Sequence, residues 1–395
     1  MHIAMFTNNY RPFVGGVPIS IDIFAKKFRE MGHQVTIFAP KYKDLTEDEE
    51  NVVRIPSLRV LKHGNNYLPI PVSILSSLKR KFFDLDIDVI HCHHPFFLGR
   101  VGQKLGNKYG IPVVYTYHTR YKEYCHYLPL GVDKVCGIAL DKIVGDFCNQ
   151  SNLVFTPTRG MTEYLKNIGV KSDIKVMPTG MDLSNYDEVE VGDYASNKGI
   201  DDNELLLFVS RLATEKNIDF LINSLESVLK ADLKRKLLIV GDGPERKNLV
   251  QMTKDLGINE QVEFLGRKER KELIKLYKIA DVFVFSSLSE TQGMVITEAL
   301  AGKTPVVALE GTGVKDIITD GEDGYLLQPG DSQGFARRVE KLLTDKDLYQ
   351  KMSKKALEKS NQYSIDKLAN DVLGHYYTLC KRKVSYQPEV VVGRR

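Results

Sequence analysis

Two glutamates, Glu290 and Glu298, border a segment whose residue types suit the binding of phosphate and hydroxyl groups. The apolar run 282–285 precedes this segment and apolar residues at helical spacing follow it, so the pattern predicts a strand, a polar loop and a helix. Gly293 lets the backbone approach a ligand closely, and the unpaired amides of a helix N-terminus favour an anion. These amides belong to Thr291, Gln292, Gly293, Met294 and Val295. Carboxylates repel phosphate but bind hydroxyls, so a diphosphate beside sugar or ribose hydroxyls fits the pattern.

A basic pair, Arg211 and Lys216, follows another predicted strand, 205–210, and leads into a helix. A guanidinium and an ammonium at the carboxyl end of a strand can neutralise a diphosphate, each charged hydrogen bond contributing about 1.5–3 kcal/mol. Surface charge flanking a helix is the alternative, and the presence of the glutamate segment favours the diphosphate. Two further loops after predicted strands, at Gly241 and Arg267, are either simple turns or walls of a nucleotide site.

The first half of the chain offers an imidazole and a pair of glycines. His118 ends the predicted strand 113–117, a position that favours a catalytic or hydroxyl-binding role, although lone histidines are often structural. Gly15 and Gly16 lie where the first predicted helix begins, a second place at which backbone can approach phosphate. Because this loop is not G-x-G-x-x-G and no acidic residue follows the second strand, a nicotinamide or flavin enzyme is disfavoured.

Two other patterns resemble metal-binding motifs. The alternating aspartates of 84–88 lead into a buried strand, which disfavours a metal. In the run His91, Cys92, His93 and His94, strand alternation sends Cys92 to the opposite face from its neighbours, and no further ligands lie nearby in sequence. We therefore expect no metal and no other cofactor, and interpret the histidines as lining for an acceptor.

These residues require a scaffold of alternating strands and helices, which the chain repeats in both halves. The alternation predicts an α/β fold of two Rossmann-like doubly wound domains that face each other across a cleft, with ligand at the carboxyl ends of the strands. Residues 1–185 are predicted to form an N-terminal acceptor domain and 200–364 a C-terminal donor domain. The acidic segment between them reads as a linker, and a helix over 365–381 is expected to cross back to the first domain.

Composition restricts the class of protein. The chain has 395 residues, 43% hydrophobic and 27% charged, which is typical of a globular protein of two domains. The net charge of +4 is too small to indicate nucleic-acid binding. Five scattered cysteines without C-x-x-C spacing suit a reducing compartment, and no apolar run is long enough for a membrane span, so we expect a cytoplasmic location.

Taken together, the motifs resemble the retaining glycosyltransferases of family 4, which have the two-domain GT-B fold. The resemblance runs from His2 to about Lys381. It implies a nucleotide-diphosphate sugar donor, with the diphosphate held by Arg211, Lys216 and the loop amides. It further implies that Glu298 binds the ribose, Glu290 the transferred sugar, and residues near Arg267 the base. Gly16 would approach the phosphate, and His118 would contact the transferred sugar near the acceptor.

The resemblance also implies a mechanism. In this family retention is described as front-face attack, with the departing diphosphate oxygen accepting the acceptor's proton. The sequence agrees, because no pair of carboxylates for double displacement is apparent.

The acceptor is indicated by a basic segment in the first half. Residues 71–85 place apolar side chains on one helical face and add cations and aromatics, a combination that can lie in a membrane interface on the cytoplasmic side. An ordinary half-buried helix is the alternative. The predicted membrane contacts are Lys79, Arg80, Lys81, Phe82 and Phe83.

The segments 115–127 and 289–293 resemble the branch of family 4 that glucosylates diacylglycerol from UDP-glucose. The first hypothesis is therefore a peripheral membrane glucosyltransferase that makes a monoglucosyl diacylglycerol. Transfer to a soluble or polyprenyl-linked sugar, a UDP-sugar 2-epimerase and a non-catalytic sugar-nucleotide binder remain alternatives.

Overall fold

The computed structural model describes residues 1–13, 15–42, 49–63, 66–71, 76–123, 133–200 and 202–384. Its contacts divide the chain into two compact units, Met1–Gly180 with the residues from Ile365 onward, and Met181–Ser364. The first unit thus ends at Gly180, a few residues before the boundary at 185 predicted from the sequence. Each unit is built around a parallel sheet, which confirms the predicted α/β class with two Rossmann-like domains.

The first unit has a seven-stranded parallel sheet and a separate antiparallel hairpin. Its strands are β1 (His2–Phe6), β2 (Gln34–Pro40), β3 (Val52–Ile55), β4 (Ser57–His63), β5 (Asn66–Pro71), β6 (Val89–Cys92), β7 (Val113–Thr116), β8 (Leu153–Thr156) and β9 (Ile174–Val176). The sheet order is β3-β2-β1-β6-β7-β8-β9, and β4 pairs with β5. The helices before Gly180 are α1 (Gly16–Glu30), α2 (Ser76–Phe83), α3 (Leu98–Tyr109), α4 (Asp133–Asn149) and α5 (Arg159–Asn167).

The second unit has a six-stranded parallel sheet. Its strands are β10 (Glu204–Val209), β11 (Arg235–Val240), β12 (Val262–Gly266), β13 (Val282–Phe285), β14 (Val306–Leu309) and β15 (Gly324–Leu327). The order β12-β11-β10-β13-β14-β15 reverses direction between β10 and β13, the switch point at which doubly wound sheets bind ligands. Its α-helices are α6 (Ser184–Glu188), α7 (Tyr194–Lys198), α8 (Ile218–Ala231), α9 (Arg246–Asp255), α10 (Arg270–Ile279), α11 (Met294–Ala301), α12 (Ser332–Thr344) and α13 (Lys346–Ser360).

The segment predicted as a linker contains two short helices, α6 and α7, and belongs to the second unit. Tyr186 on α6 is 4% exposed and lies in the core of that unit. The Lys278 ammonium donates to the carbonyl oxygens of Tyr186 (2.7 Å) and Val189 (2.8 Å). The linker prediction is therefore wrong over these residues, because contacts distant in sequence order a stretch whose acidic, glycine-containing composition resembles a linker.

The C-terminal helix α14 (Ile365–Val384) belongs to the first unit. Its buried residues Leu368, Val372, Leu373 and Tyr376 share a core with residues of α1. The rings of Phe28 and Tyr376 meet edge to face with centroids 6.0 Å apart. The chain thus leaves the first unit after Gly180 and returns at Ile365, so that its last helix completes the first core.

The apolar face of α2 is part of the core of the first unit. Phe82 is 2% exposed, and its ring centroid lies 6.3 Å from Phe6 and 6.1 Å from Phe38. The prediction that Phe82 contacts a membrane is therefore wrong, because the ring already occupies a protein core. Phe83, the next residue, is 51% exposed.

Candidate active site

The predicted strand, loop and helix around Glu290 are present as β13, residues 286–293 and α11. All four residues of β13 are buried, and Gly293 caps α11 with φ 77°. This left-handed conformation favours glycine, and a Cβ here would lie 3.1 Å from Cδ1 of Ile296. The backbone therefore turns sharply into α11, whose first amides, from Met294 onward, lie at a helix N-terminus suited to an anion.

The loop after β10, which carries Arg211 and Lys216, is bonded to the loop after β13. The hydroxyl of Ser286 donates to the carbonyl oxygen of Lys216 (2.9 Å), and the Lys216 ammonium donates to Glu290 Oε1 (2.5 Å). The Lys216 and Glu290 side chains are 17% and 19% exposed. These contacts follow from the sheet order, because β10 and β13 are direct neighbours.

Arg211 also pairs with a carboxylate, that of Glu215 four residues along the chain. The Arg211 side chain is 38% exposed, whereas that of Glu215 is 14% exposed. The guanidinium therefore combines access to solvent with a defined carboxylate partner. Both cations predicted to hold a diphosphate thus lie at the carboxyl edge of the second sheet.

The Gly241 loop comes close to the Arg211 loop. Gly241 has φ 128°, and a Cβ on it would lie 1.8 Å from the carbonyl oxygen of Ser210. Its amide donates to the carbonyl oxygen of Gly266 (2.8 Å), so the loops after β10, β11 and β12 meet at one edge. Arg267, the next residue, is exposed. Glycine at 241 is therefore required by this close packing of the loops.

Glu298, on the second turn of α11, is held by two residues that sequence reasoning missed. Its Oε1 forms a close ion pair with Arg270, and its Oε2 accepts from the hydroxyl of Tyr277 (2.8 Å). Arg270 and Tyr277 lie two helical turns apart on α10, so they share one face of that helix. Their spacing on one helical face was the available signal, although only the neighbouring Arg267 was predicted to line the site.

In the first unit, His118 follows β7 and contacts a buried histidine from the adjacent strand. Its Nε2 lies 3.0 Å from Nδ1 of His93. The ring of His93 lies 4.3 Å, centroid to centroid, from that of His91. The ring nitrogens of His91 lie 2.6 Å from the hydroxyl oxygens of Thr116 and Tyr376, the latter on α14. A row of histidines thus runs from His118 towards the C-terminal helix.

Burial governs the charge of these imidazoles. Desolvation lowers the pKa of His91, His94 and His118 to about 3. These rings are therefore neutral near pH 7, and each presents one donor nitrogen and one acceptor nitrogen. Neutral His118 is suited to hydrogen bonding with a hydroxyl group.

Gly15 and Gly16 lie at the start of α1, as predicted. Gly15 is extended, with φ −179°, and a Cβ on it would lie 2.9 Å from Cε1 of Phe13. The first amides of α1, the helix that follows β1 in the chain, lie at a helix N-terminus where backbone can approach an anion.

The residues predicted to contact a membrane differ in their exposure to solvent. Arg80 and Lys81 are exposed, and Phe83 packs edge to face on Tyr109 of α3 with ring centroids 4.9 Å apart. The Lys108 ammonium lies 5.3 Å from the Tyr109 ring centroid. The side chain of Lys79 lies outside the described residues. Cations and exposed aromatics therefore share the surface formed by the ends of α2 and α3.

Among the residues that the structure describes, no group of three or more His, Cys, Asp or Glu side chains is arranged to hold a metal ion. In the same residues, no helix has both the length and the apolar character that a membrane crossing demands.

Comparison with known proteins places the chain in a family. Residues 14–185 match Glycosyltransferase Family 4, and residues 193–359 match Glycosyl transferases group 1. The chain is 33% identical over 333 residues to the alpha-monoglucosyldiacylglycerol synthase of Streptococcus pneumoniae, covering 82% of this chain and 75% of that relative. It is 28% identical over 338 residues to the synthase of the same name from Acholeplasma laidlawii, covering 83% and 85%.

Solved structures support the same fold. The crystal structure of Anabaena HepE in complex with UDP and glucose superposes with a TM-score of 0.76 and 19% identity, covering 96% of this chain and 100% of the other. That of WaaG, a glycosyltransferase involved in lipopolysaccharide biosynthesis, has a TM-score of 0.71 and 17% identity, covering 94% and 98%. The chain belongs to the family 4 glycosyltransferases and has their GT-B fold.

Proposed function

We propose that this protein is a retaining glucosyltransferase that transfers glucose from UDP-glucose to 1,2-diacylglycerol at the cytoplasmic face of the membrane. The observation that carries the proposal is the second unit's carboxyl edge, where Lys216 and Glu290 meet beside the N-terminus of α11. Similarity to two alpha-monoglucosyldiacylglycerol synthases supports the choice of donor and acceptor.

We place the donor in the second unit because its cations can neutralise a diphosphate. Arg211, Lys216 and the amides from Thr291 to Val295 would hold the diphosphate, because cations and a helix N-terminus both stabilise phosphate. Glu290 would accept hydrogen bonds from the sugar hydroxyls. Glu298 would do the same for the ribose, with the base near Arg267 and the Gly241 loop. In the first unit, Gly16 would approach the phosphate and neutral His118 would contact the transferred sugar.

The proposed reaction needs no protein nucleophile. The acceptor hydroxyl oxygen bonds to the anomeric carbon on the face from which the diphosphate leaves, as the bond from that carbon to the diphosphate oxygen breaks. The proton of the hydroxyl passes to the departing oxygen, so the products are UDP and the α-glucoside. Lys216, Arg211 and the α11 amides stabilise the charge that develops on the diphosphate, which is the main catalytic contribution. No metal takes part in this scheme.

A lipid acceptor suits the surface at the ends of α2 and α3. Arg80 and Lys81 are exposed beside Phe83, Tyr109 and Lys108, a mixture typical of the interface of an anionic membrane. Each cation near anionic lipid contributes about 1 kcal/mol of binding. A peripheral position at the inner face of the cell membrane would bring diacylglycerol to the enzyme.

The test is incubation of purified protein with labelled UDP-glucose and vesicles of anionic lipid, with and without diacylglycerol. We expect label in the lipid fraction only with diacylglycerol, and loss of that label in Lys216→Ala. Label found only on an added soluble or polyprenyl-linked sugar would mean that this sugar, and not diacylglycerol, is the acceptor. Conversion of UDP-GlcNAc without acceptor would indicate an epimerase, and UDP-glucose binding without turnover a non-catalytic binder.

A further inference from the structure

We propose that Arg270 and Tyr277 are positioning residues that hold the Glu298 carboxylate so that one acceptor site on each of its oxygens is left for a ribose hydroxyl of the donor. The inference deepens the proposed function and rests on it, because it takes Glu298 as the ribose ligand. It adds a prediction that the proposed function does not contain. Ribonucleotide selectivity depends on two residues of α10 that need not touch the ligand.

The acceptor sites of the carboxylate can be counted. An ionised carboxylate has about four lone-pair sites, two on each oxygen. Arg270 occupies one site on Oε1 and Tyr277 one site on Oε2. Within the part of the chain that the structure describes, these are the side-chain hydrogen bonds to Glu298, which leaves one site on each oxygen. Two adjacent acceptor sites match the two adjacent hydroxyls of a ribose.

Burial fixes Tyr277 in place, and Arg270 is held by its ion pair with Glu298 and by the ring of Tyr186. Tyr277 is 0% exposed, and burial raises the pKa of its phenol, so the hydroxyl keeps its proton and donates to Glu298. The Arg270 guanidinium lies 5.8 Å from the ring centroid of Tyr186, which is 4% exposed. The Glu298 side chain is itself only 10% exposed. The carboxylate is therefore bonded on both oxygens, on one by a fully buried phenol and on the other by the guanidinium of Arg270, whose side chain is 43% exposed.

The restraint on the Glu298 carboxylate should be measurable as a difference in affinity between ribonucleotides and deoxyribonucleotides. A carboxylate held in one orientation binds both hydroxyls without further loss of side-chain freedom, so removal of either hydroxyl should cost affinity. A carboxylate released from one donor can turn that oxygen away, and the hydroxyl then contributes less. Loss of Arg270 or Tyr277 should therefore weaken UDP more than 2′-deoxy-UDP or 3′-deoxy-UDP. General damage to the site would weaken all three equally.

The experiment measures calorimetric affinities of UDP, 2′-deoxy-UDP and 3′-deoxy-UDP for the full chain and its variants. We expect the unaltered protein to prefer UDP over each deoxy analogue by about 10-fold or more, as for a hydrogen bond to a charged group. In Arg270→Met and Tyr277→Phe, the preference over at least one analogue should fall to about 3-fold or less. The affinity of each variant for that deoxy analogue should stay within about 2-fold of the affinity of the unaltered protein. Arg270→Lys should retain more of the preference than Arg270→Met.

Two controls separate failure of the inference from failure of the proposed function. Lys271→Met removes an exposed cation from the same helix and should leave the preference unchanged. Glu298→Gln should lose the preference, and if it does not, Glu298 is not the ribose ligand. The inference alone is overturned if Glu298→Gln loses the preference while Arg270→Met and Tyr277→Phe keep it. It is also overturned if both variants weaken all three ligands equally, complete loss of binding included. Tyr277→Phe preserves the shape of the core, so it serves even if Arg270→Met does not fold.

Discussion

Replacement of Lys216 by alanine is expected to lower kcat/KM for glucosyl transfer by about 100-fold. The ammonium lies 2.5 Å from Glu290 Oε1, and both side chains are less than one-fifth exposed, at 17% and 19%. The variant therefore loses a positive charge and keeps the carboxylate that this charge had neutralised. A unit charge about 6 Å from the departing phosphate, at an effective dielectric constant of about 20, contributes about 2.8 kcal/mol. That energy corresponds to about 100-fold in rate.

The assay is the initial rate of label transfer from UDP-glucose to diacylglycerol in vesicles, with kcat and KM measured separately. The matched control is Lys230→Ala, which breaks the exposed Lys230–Glu226 pair (2.6 Å) on α8 of the same unit. Exposed pairs contribute little, so this variant should stay within about 2-fold of the unaltered protein. A Lys216→Ala variant that kept more than about a third of the activity would remove Lys216 from the diphosphate site.

The pair itself can be tested by adding Glu290→Gln to Lys216→Ala. The second substitution removes the carboxylate that the first leaves without its cation, so the two residues are coupled. We expect the double variant to lose less activity than the product of the two single losses. Losses that multiply would mean that Lys216 and Glu290 act independently, contrary to the contact in the structure.

Four further predictions concern residues of the first unit. His93→Phe, which deletes the contact with His118, should lower kcat by about 10-fold and change the KM for diacylglycerol less. An unchanged kcat would mean that this contact has no role in catalysis. Replacement of Lys79, Arg80 and Lys81 by serine should weaken pelleting with anionic vesicles by at least about 10-fold, an effect absent with neutral vesicles. Phe82→Ala should lower the free energy of unfolding by about 3–5 kcal/mol, whereas Phe83→Ala should change it far less; equal losses would contradict their different burial. Because burial lowers the pKa of His91 and His94 to about 3, the unfolded chain binds more protons below pH 6.5, and stability should fall as the pH drops below that value. The slope approaches about 3 kcal/mol per pH unit for the two together, and urea unfolding at pH 7.5 and 5.5 would measure it.

Local patterns in the sequence were sufficient for the strand, loop and helix that carry Glu290 and Glu298. The aromatic and β-branched residues of β13 favour a strand, and Gly293 marks the turn into α11 at φ 77°. These signals act between near neighbours, so no knowledge of the fold is needed to find them. The same holds for the loops at Arg211 and Gly241, which follow strands of continuous apolar residues.

Partners distant in sequence could not be predicted in this way. Lys216 meets Glu290 because β10 lies beside β13, an adjacency between strands that do not follow each other in the chain. Arg270 reaches Glu298 because α10 packs against α11. Sequence pattern places each residue on an element, but the order of strands in the sheet decides which elements meet.

Helix α2 shows a different limit of sequence pattern. Its apolar face was predicted to meet a membrane, but Phe82 on that face packs against the stacked rings of Phe6 and Phe38. An amphipathic helix needs an apolar surface to cover, and a protein core and a lipid interface satisfy the same periodicity. Among the side chains of α2 that the structure describes, those of Arg80, Lys81 and Phe83 are exposed and remain available to a membrane.

Three cations of the second unit are each paired with a carboxylate of that unit. Arg211 pairs with Glu215, Lys216 with Glu290 and Arg270 with Glu298. Unpaired cations at a helix N-terminus would bind any phosphate, whereas these pairs oppose a bare anion because it must compete with the carboxylates. Under the proposed function, a nucleotide sugar offers its phosphates to Lys216 and its sugar hydroxyls to Glu290, so it can satisfy both members of that pair. Under the proposed function, this pairing is a physical basis for choosing a nucleotide sugar over inorganic phosphate.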